Sequence, residues 1–186
     1  MSDLVPLDRL AIPPALTGEA GRNRAHGARQ VDANDDRSAI LAWLARYADS
    51  PATLSSYRKE AERLLLWCVH QRKRALSELS HEDMLLYERF LGDPQPAEHW
   101  IMAPGMKASR RSAAWRPFAA PLGPTSQRQA MSILNGLLNW LVNAGYLAGN
   151  PLALRRRPRA LDRSKQISRF LPQAQWAAVR QTVGAD

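Results

Sequence analysis

Residues 125–151 read TSQRQAMSILNGLLNWLVNAGYLAGNP, and this stretch decides the fold. Leu134, Leu137, Leu138 and Leu141 recur at helical spacing and mark one buried side. The opposite side collects Thr125, Arg128, Ser132, Asn135, Gly136, Asn139 and Asn143. Gly145 stands where a left-handed C-terminal cap belongs, and Asn150–Pro151 supplies a second stop. The pattern predicts one amphipathic helix over about 125–144. Solvated helix faces normally use Glu, Lys, Gln and Arg, which favour helix. Asn, Ser and Gly each cost helix propensity, so a face built from them implies a need for short polar groups. Asn and Ser hydrogen-bond base edges or phosphates, and Gly admits a close backbone; Arg128 is placed to reach a phosphate or a guanine. A polar contact between helices would use the same residues.

Upstream, three more helices are expected. One begins near Asp36, with Ile40, Leu41, Trp43, Leu44 and Tyr47 on one side and Pro51 at its end. A longer one starts around Thr53 as N-cap and runs to about Lys73. Its apolar face is Leu54, Tyr57, Ala61, Leu64, Leu65 and Cys68. At 100° per residue Lys59, Arg63 and His70 fall opposite, beside Ser56, while Glu60 and Glu62 lie off that line. An ordinary solvated face would look the same. A third helix starts at Ser80, with Asp83 completing an approximate capping box, and stops at Gly92, Asp93 and Pro94. Residues 92–124 form a long connection with room for a short hairpin, and long connections inside compact domains are often functional. A last helix is expected over 172–183. Residues 1–35, with Pro6, Pro13, Pro14 and no sustained period, read as a disordered or loosely docked arm attached through Leu4, Leu7, Leu10 and Ile12. The fold class is therefore all-α, a bundle of four or five helices. Its expected parts are an arm (1–35), a helical domain (36–156), and a basic linker leading into a further unit (157–186).

Charge sorting adds a functional lead. The 186 residues carry a formal net charge of +9. No carboxylate lies between Glu98 and Asp162, where about six would be expected at the chain's average acid content. Lys107, Arg110, Arg111, Arg116, Arg128, Arg155, Arg156, Arg157 and Arg159 fall in that gap. A surface of one sign attracts a polyanion, and nucleic acid is the commonest large one in a cell. The loop cations are interleaved with Trp115. The tract RRRPRALDRSK has the composition of a linker that follows a phosphate backbone, or of a localisation patch. Cys68 is the single cysteine, so no internal disulfide forms and a reducing compartment fits. No apolar run is long enough to span a bilayer and no signal sequence opens the chain. A cytoplasmic, nucleoid-associated protein is the expectation. There is no Walker loop, dinucleotide fingerprint or Cys/His quartet, and no catalytic constellation. Neither a metal nor a small-molecule cofactor is expected.

The segments SPATLSSYRKEAERLLLW, LSELSHEDMLLYERFL and SQRQAMSILNGLLNWLVNAGYLAGNPL together resemble the N-terminal core-binding domain of tyrosine recombinases, the phage-integrase family. WLVNAGYLAGNP is the most specific piece. The resemblance covers about residues 36–156, and FLPQAQWAAV looks like the first helix of the family's catalytic domain. It implies a SAM-like orthogonal bundle that closes over one face of double-stranded DNA. In the family the second and fourth helices face the duplex, which implies contacts from Thr53, Lys59, Arg63, Arg128, Ser132 and Asn139. The family's catalytic Arg, Lys, His and nucleophilic Tyr belong to its second domain. Tyr47, Tyr57, Tyr87 and Tyr146 lie in the helical bundle and do not match the nucleophile's context. These 186 residues are thus expected to bind DNA without cutting it, and the whole enzyme to integrate or recombine DNA through a phosphotyrosine link as a synaptic tetramer. A stand-alone helical regulator or a protein-interaction bundle are the competing readings.

Overall fold

The computed structural model describes residues 4–155. Among them five helices follow in order: α1 (Asp36–Ala45), α2 (Pro51–Leu66), α3 (His81–Gly92), the single-turn α4 (Ala97–Trp100) and α5 (Pro124–Asn143). Two isolated bridges form, but no strand, so the described residues are all-α. The expected helix over 172–183 lies outside them.

Local chemistry sets the helix ends. Asp35 caps α1 by accepting from the Ser38 N–H at 2.7 Å. Pro51 does not end α1, which stops at Ala45, but begins α2 at its first position. A proline there loses no helical hydrogen bond, which is why the start falls two residues before Thr53. After Leu66 the helix widens into a π turn, Trp67–Arg72, and ends on left-handed Lys73 (φ 53°). Ser80 and Asp83 form the expected capping box of α3. Asp83 also receives Arg72 and Arg74, tying the end of α2 to the start of α3. Gly145 follows α5 at φ +70°, and a Cβ there would lie 2.5 Å from the Ala28 carbonyl oxygen. Both the backbone angle and the contact demand glycine.

α5 is the central helix and packs against α1, α2 and α3. Leu134, Leu137, Leu138 and Leu141 are fully buried in the shared core. Aromatic rings fill the spaces between helices. Trp43 stacks on Tyr57 at 5.2 Å, and Phe90 meets Trp100 edge-on at 4.9 Å. In the connection between α4 and α5, Ile101 and Phe118 form a parallel bridge, with the Met102 N–H donating to the Phe118 carbonyl at 2.9 Å. The expected hairpin would have been antiparallel. The buried Trp100, Trp115 and Phe118 anchor this loop instead.

Residues 4–35 are built into the domain rather than loosely docked. Leu4, Leu7 and Leu10 are buried in the core. The Leu7 N–H donates to Glu62 Oε2 at 2.7 Å. The Asp36 N–H donates to the Thr17 carbonyl at 2.8 Å, and the Ala25 N–H to the Tyr146 carbonyl at 3.1 Å. Asn23 exchanges two hydrogen bonds with Gly149. An irregular segment of turns satisfied by partners this distant needs no periodicity of its own, so its pattern resembles that of a disordered arm.

Candidate nucleic-acid interface

The α5 face opposite the core lies open. Thr125, Arg128, Ser132, Gly136, Asn139 and Asn143 are exposed and Asn135 is half-buried. The helix contributes no carboxylate anywhere along its length. Arg128 donates to Thr125 Oγ1 at 3.0 Å, which holds its guanidinium along the first turns. Beyond the helix, Asn150 turns back onto this face. Its Nδ2 donates to Asn135 Oδ1 at 2.9 Å and to Asn139 Oδ1 at 2.7 Å.

A second basic surface lies between α2 and the 101–119 loop. It is a groove of about 810 Å³ bordered by Ser55, Ser56, Arg58, Lys59, Arg110 and Arg116. Lys59 is exposed, with its ammonium 3.5 Å from Glu60. Thr53 is half-buried inside the first turn of α2, 3.1 Å from the Ser50 hydroxyl, and does not cap the helix. Lys107 and Arg111 are exposed on the loop and form no ion pair among the described residues.

Several of the expected contact residues are already engaged by the protein. Arg63 is buried. Its Nη1 binds both Glu60 oxygens at 3.1 and 3.2 Å, and its Nε donates to the Pro117 carbonyl at 3.0 Å. Its guanidinium also lies 4.4 Å from the Phe118 ring centroid. The loop covers the side of α2 that a helical wheel leaves open, and Arg63 clamps that loop. Arg110 forms a forked pair with buried Glu62 at 2.6 and 2.9 Å and lies over Trp115. Arg116 donates to the carbonyls of Glu98, Ala113 and Trp115. Arg155 pairs with Glu88. The carboxylate gap is therefore less one-signed in space than along the chain, because folding delivers Glu62 and Glu88 into it. Arg156, Arg157 and Arg159 lie outside the described residues.

Other residues were not legible as part of this surface. Arg46 is exposed near the end of α1, its guanidinium 5.8 Å from the Trp140 ring of α5. Arg58 lies in the groove, 3.4 Å from Asp8. Asn150 announced only a helix stop. Cys68 is fully buried, which pushes its thiol pKa well up, and burial lowers His70 to about 4. Among the described residues no group of three or more metal-ligating side chains comes together. Tyr87 and Tyr146 are buried, and Tyr47 and Tyr57 pack on Trp43. No described helix is long and apolar enough to cross a membrane. Comparison with protein-family models, curated proteins and solved structures finds no match to this chain.

Proposed function

We propose that residues 4–155 form a duplex-DNA-binding module of the kind tyrosine recombinases use to hold DNA for strand exchange. The observation that carries this reading is the outer face of α5. It is free of carboxylates on its own helix and built from exposed Arg128, Ser132, Gly136 and Asn139 with half-buried Asn135. Such a surface suits a phosphate backbone and base edges better than it suits water alone. The exposed cations Lys59, Lys107 and Arg111 provide further phosphate contacts. The SAM-like topology and the recombinase assignment rest on the resemblance of residues 36–156. Strand cleavage belongs to a catalytic domain, which these residues do not supply, and the finished enzyme acts as a tetramer on DNA.

Duplex binding by the full 186-residue chain, measured by fluorescence anisotropy at several salt concentrations, tests the proposal. Affinity should fall steeply with salt. The double substitution Arg128→Ala plus Ser132→Ala should weaken binding by about tenfold or more. Both side chains are exposed, so the melting temperature should stay nearly unchanged. Binding that ignores both salt and this pair of substitutions would overturn the reading.

A further inference from the structure

Asn150 is anchored by a contact whose direction is unambiguous. Its Oδ1 accepts the backbone N–H of Leu152 at 2.7 Å. A backbone N–H only donates, so the other end of the Asn150 amide must be its NH2 group. That group faces two acceptors on α5, Asn135 Oδ1 at 2.9 Å and Asn139 Oδ1 at 2.7 Å. The relay thereby sets the orientation of both helix amides. Their oxygens are occupied by Asn150, and their NH2 groups are left without a partner among the described residues. One turn earlier Ser132 is exposed, and Arg128 beyond it is a donor only. Without the relay, each Asn could present either end of its amide.

We infer that Asn150 is a positioning residue that locks Asn135 and Asn139 with their NH2 groups outward, so that the α5 face donates hydrogen bonds to acceptor atoms of DNA. This inference rests on the proposed DNA-binding reading. The acceptors are phosphate oxygens or the acceptor atoms of the major groove, purine N7 and the base carbonyls; all require a donor and reject an amide oxygen. Arg128 adds a cation at one end of the row, which suits either source.

The substitution Asn150→Asp separates positioning from simple turn formation. An aspartate retains an oxygen for the Leu152 N–H, so the turn is kept. Its second oxygen accepts NH2 groups, which turns Asn135 and Asn139 over and presents their oxygens outward. Binding of a random-sequence duplex pool is measured for the wild type, Asn150→Asp, the pair Asn135→Ala plus Asn139→Ala, and all three together. The triple variant against the pair reports the effect of the added negative charge alone. We expect Asn150→Asp to weaken binding about tenfold more in the wild-type background than in the double-alanine background. Equal losses in both backgrounds would sink the inference while leaving DNA binding intact. A wild-type chain that binds no duplex would remove the underlying reading as well. Repeating the cycle on a duplex whose purines are 7-deaza analogues identifies the acceptor. A coupling that vanishes there assigns the donors to N7, and one that persists assigns them to the remaining acceptors, phosphate oxygens or base carbonyls.

Discussion

Asp36 sits in the first turn of α1, fully buried, accepting the Ser77 N–H at 3.1 Å and the Tyr146 hydroxyl at 2.9 Å. Gly18 passes so close that a Cβ would collide with the carboxylate, at a backbone angle (φ +82°) that itself favours glycine. The Arg24 guanidinium lies over the Tyr146 ring, 3.8 Å from its centroid. Burial raises the Asp36 pKa to about 6, and the hydrogen bonds from Ser77 and Tyr146 only partly offset it. An unfolded aspartate titrates at about 4. The folded state therefore binds this proton more tightly than the unfolded one. The resulting stabilisation is full below about pH 4 and is lost as pH rises through 6. It amounts to about 3 kcal/mol across that window. An asparagine at this position would not titrate. The stability difference between Asp36→Asn and wild type should therefore shift toward the variant by that order between about pH 4 and 7. Urea unfolding at a series of pH values measures it; a pH-independent difference contradicts it.

At the scale of elements, α2 departs most from its helical wheel. Arg63 occupies the polar side of the pattern and Glu60 and Glu62 its flanks, yet all three are buried. The N-terminal segment and the 101–119 loop cover that side and meet at Glu62. One carboxylate holds both, through the Leu7 N–H at 2.7 Å and the Arg110 fork. Removing it strands a buried N–H, at about 1–3 kcal/mol. Arg110 is 45% exposed, so its lost ion pair adds little beyond that. Glu62→Ala should therefore destabilise by roughly 2–3 kcal/mol. More tellingly, hydrogen exchange should accelerate together in residues 4–10 and 103–116, while α3 and α5 stay protected. Acceleration in one segment alone would show that Glu62 does not couple them. The helix itself was legible from Leu54, Ala61, Leu64 and Leu65. Its covering was not, because a carboxylate that will accept a distant N–H looks like any solvated Glu.

For the whole molecule, the beginning and end of the domain close on each other. Gln30 N–H donates to the Ala144 carbonyl, Ala25 to Tyr146, and Ala148 to Asn23, beside the antiparallel bridge between Arg24 and Leu147. Leu4, Leu7 and Leu10 complete the core. Each buried leucine contributes roughly 1.5–3 kcal/mol, so together they rival the whole stability of a typical domain. Deleting residues 1–12 should abolish a cooperative thermal transition by circular dichroism. A truncated chain that melts at the wild-type midpoint would mean that these residues are dispensable.

Local signals were sufficient for the bodies of α1, α2, α3 and α5, but not for the single-turn α4 or the start of α2 at Pro51. The leucine spacing of α5, the Ser80–Asp83 box and Gly145 each act within a few residues, so the sequence alone determined an all-α chain with a polar, carboxylate-free face on its last described helix; that the face lies open was decided by the fold. Tertiary structure decided which polar groups remain free to meet a partner. Arg63, Arg110, Arg116 and Arg155 read as available cations, and folding satisfied each with an oxygen from elsewhere in the chain. Asn150 read as a helix stop and became the anchor of two amides. The physical reason is reach. Helix propensity and capping are set by neighbours along the chain, whereas charge pairing and amide orientation depend on groups that only the completed fold brings within about 3 Å.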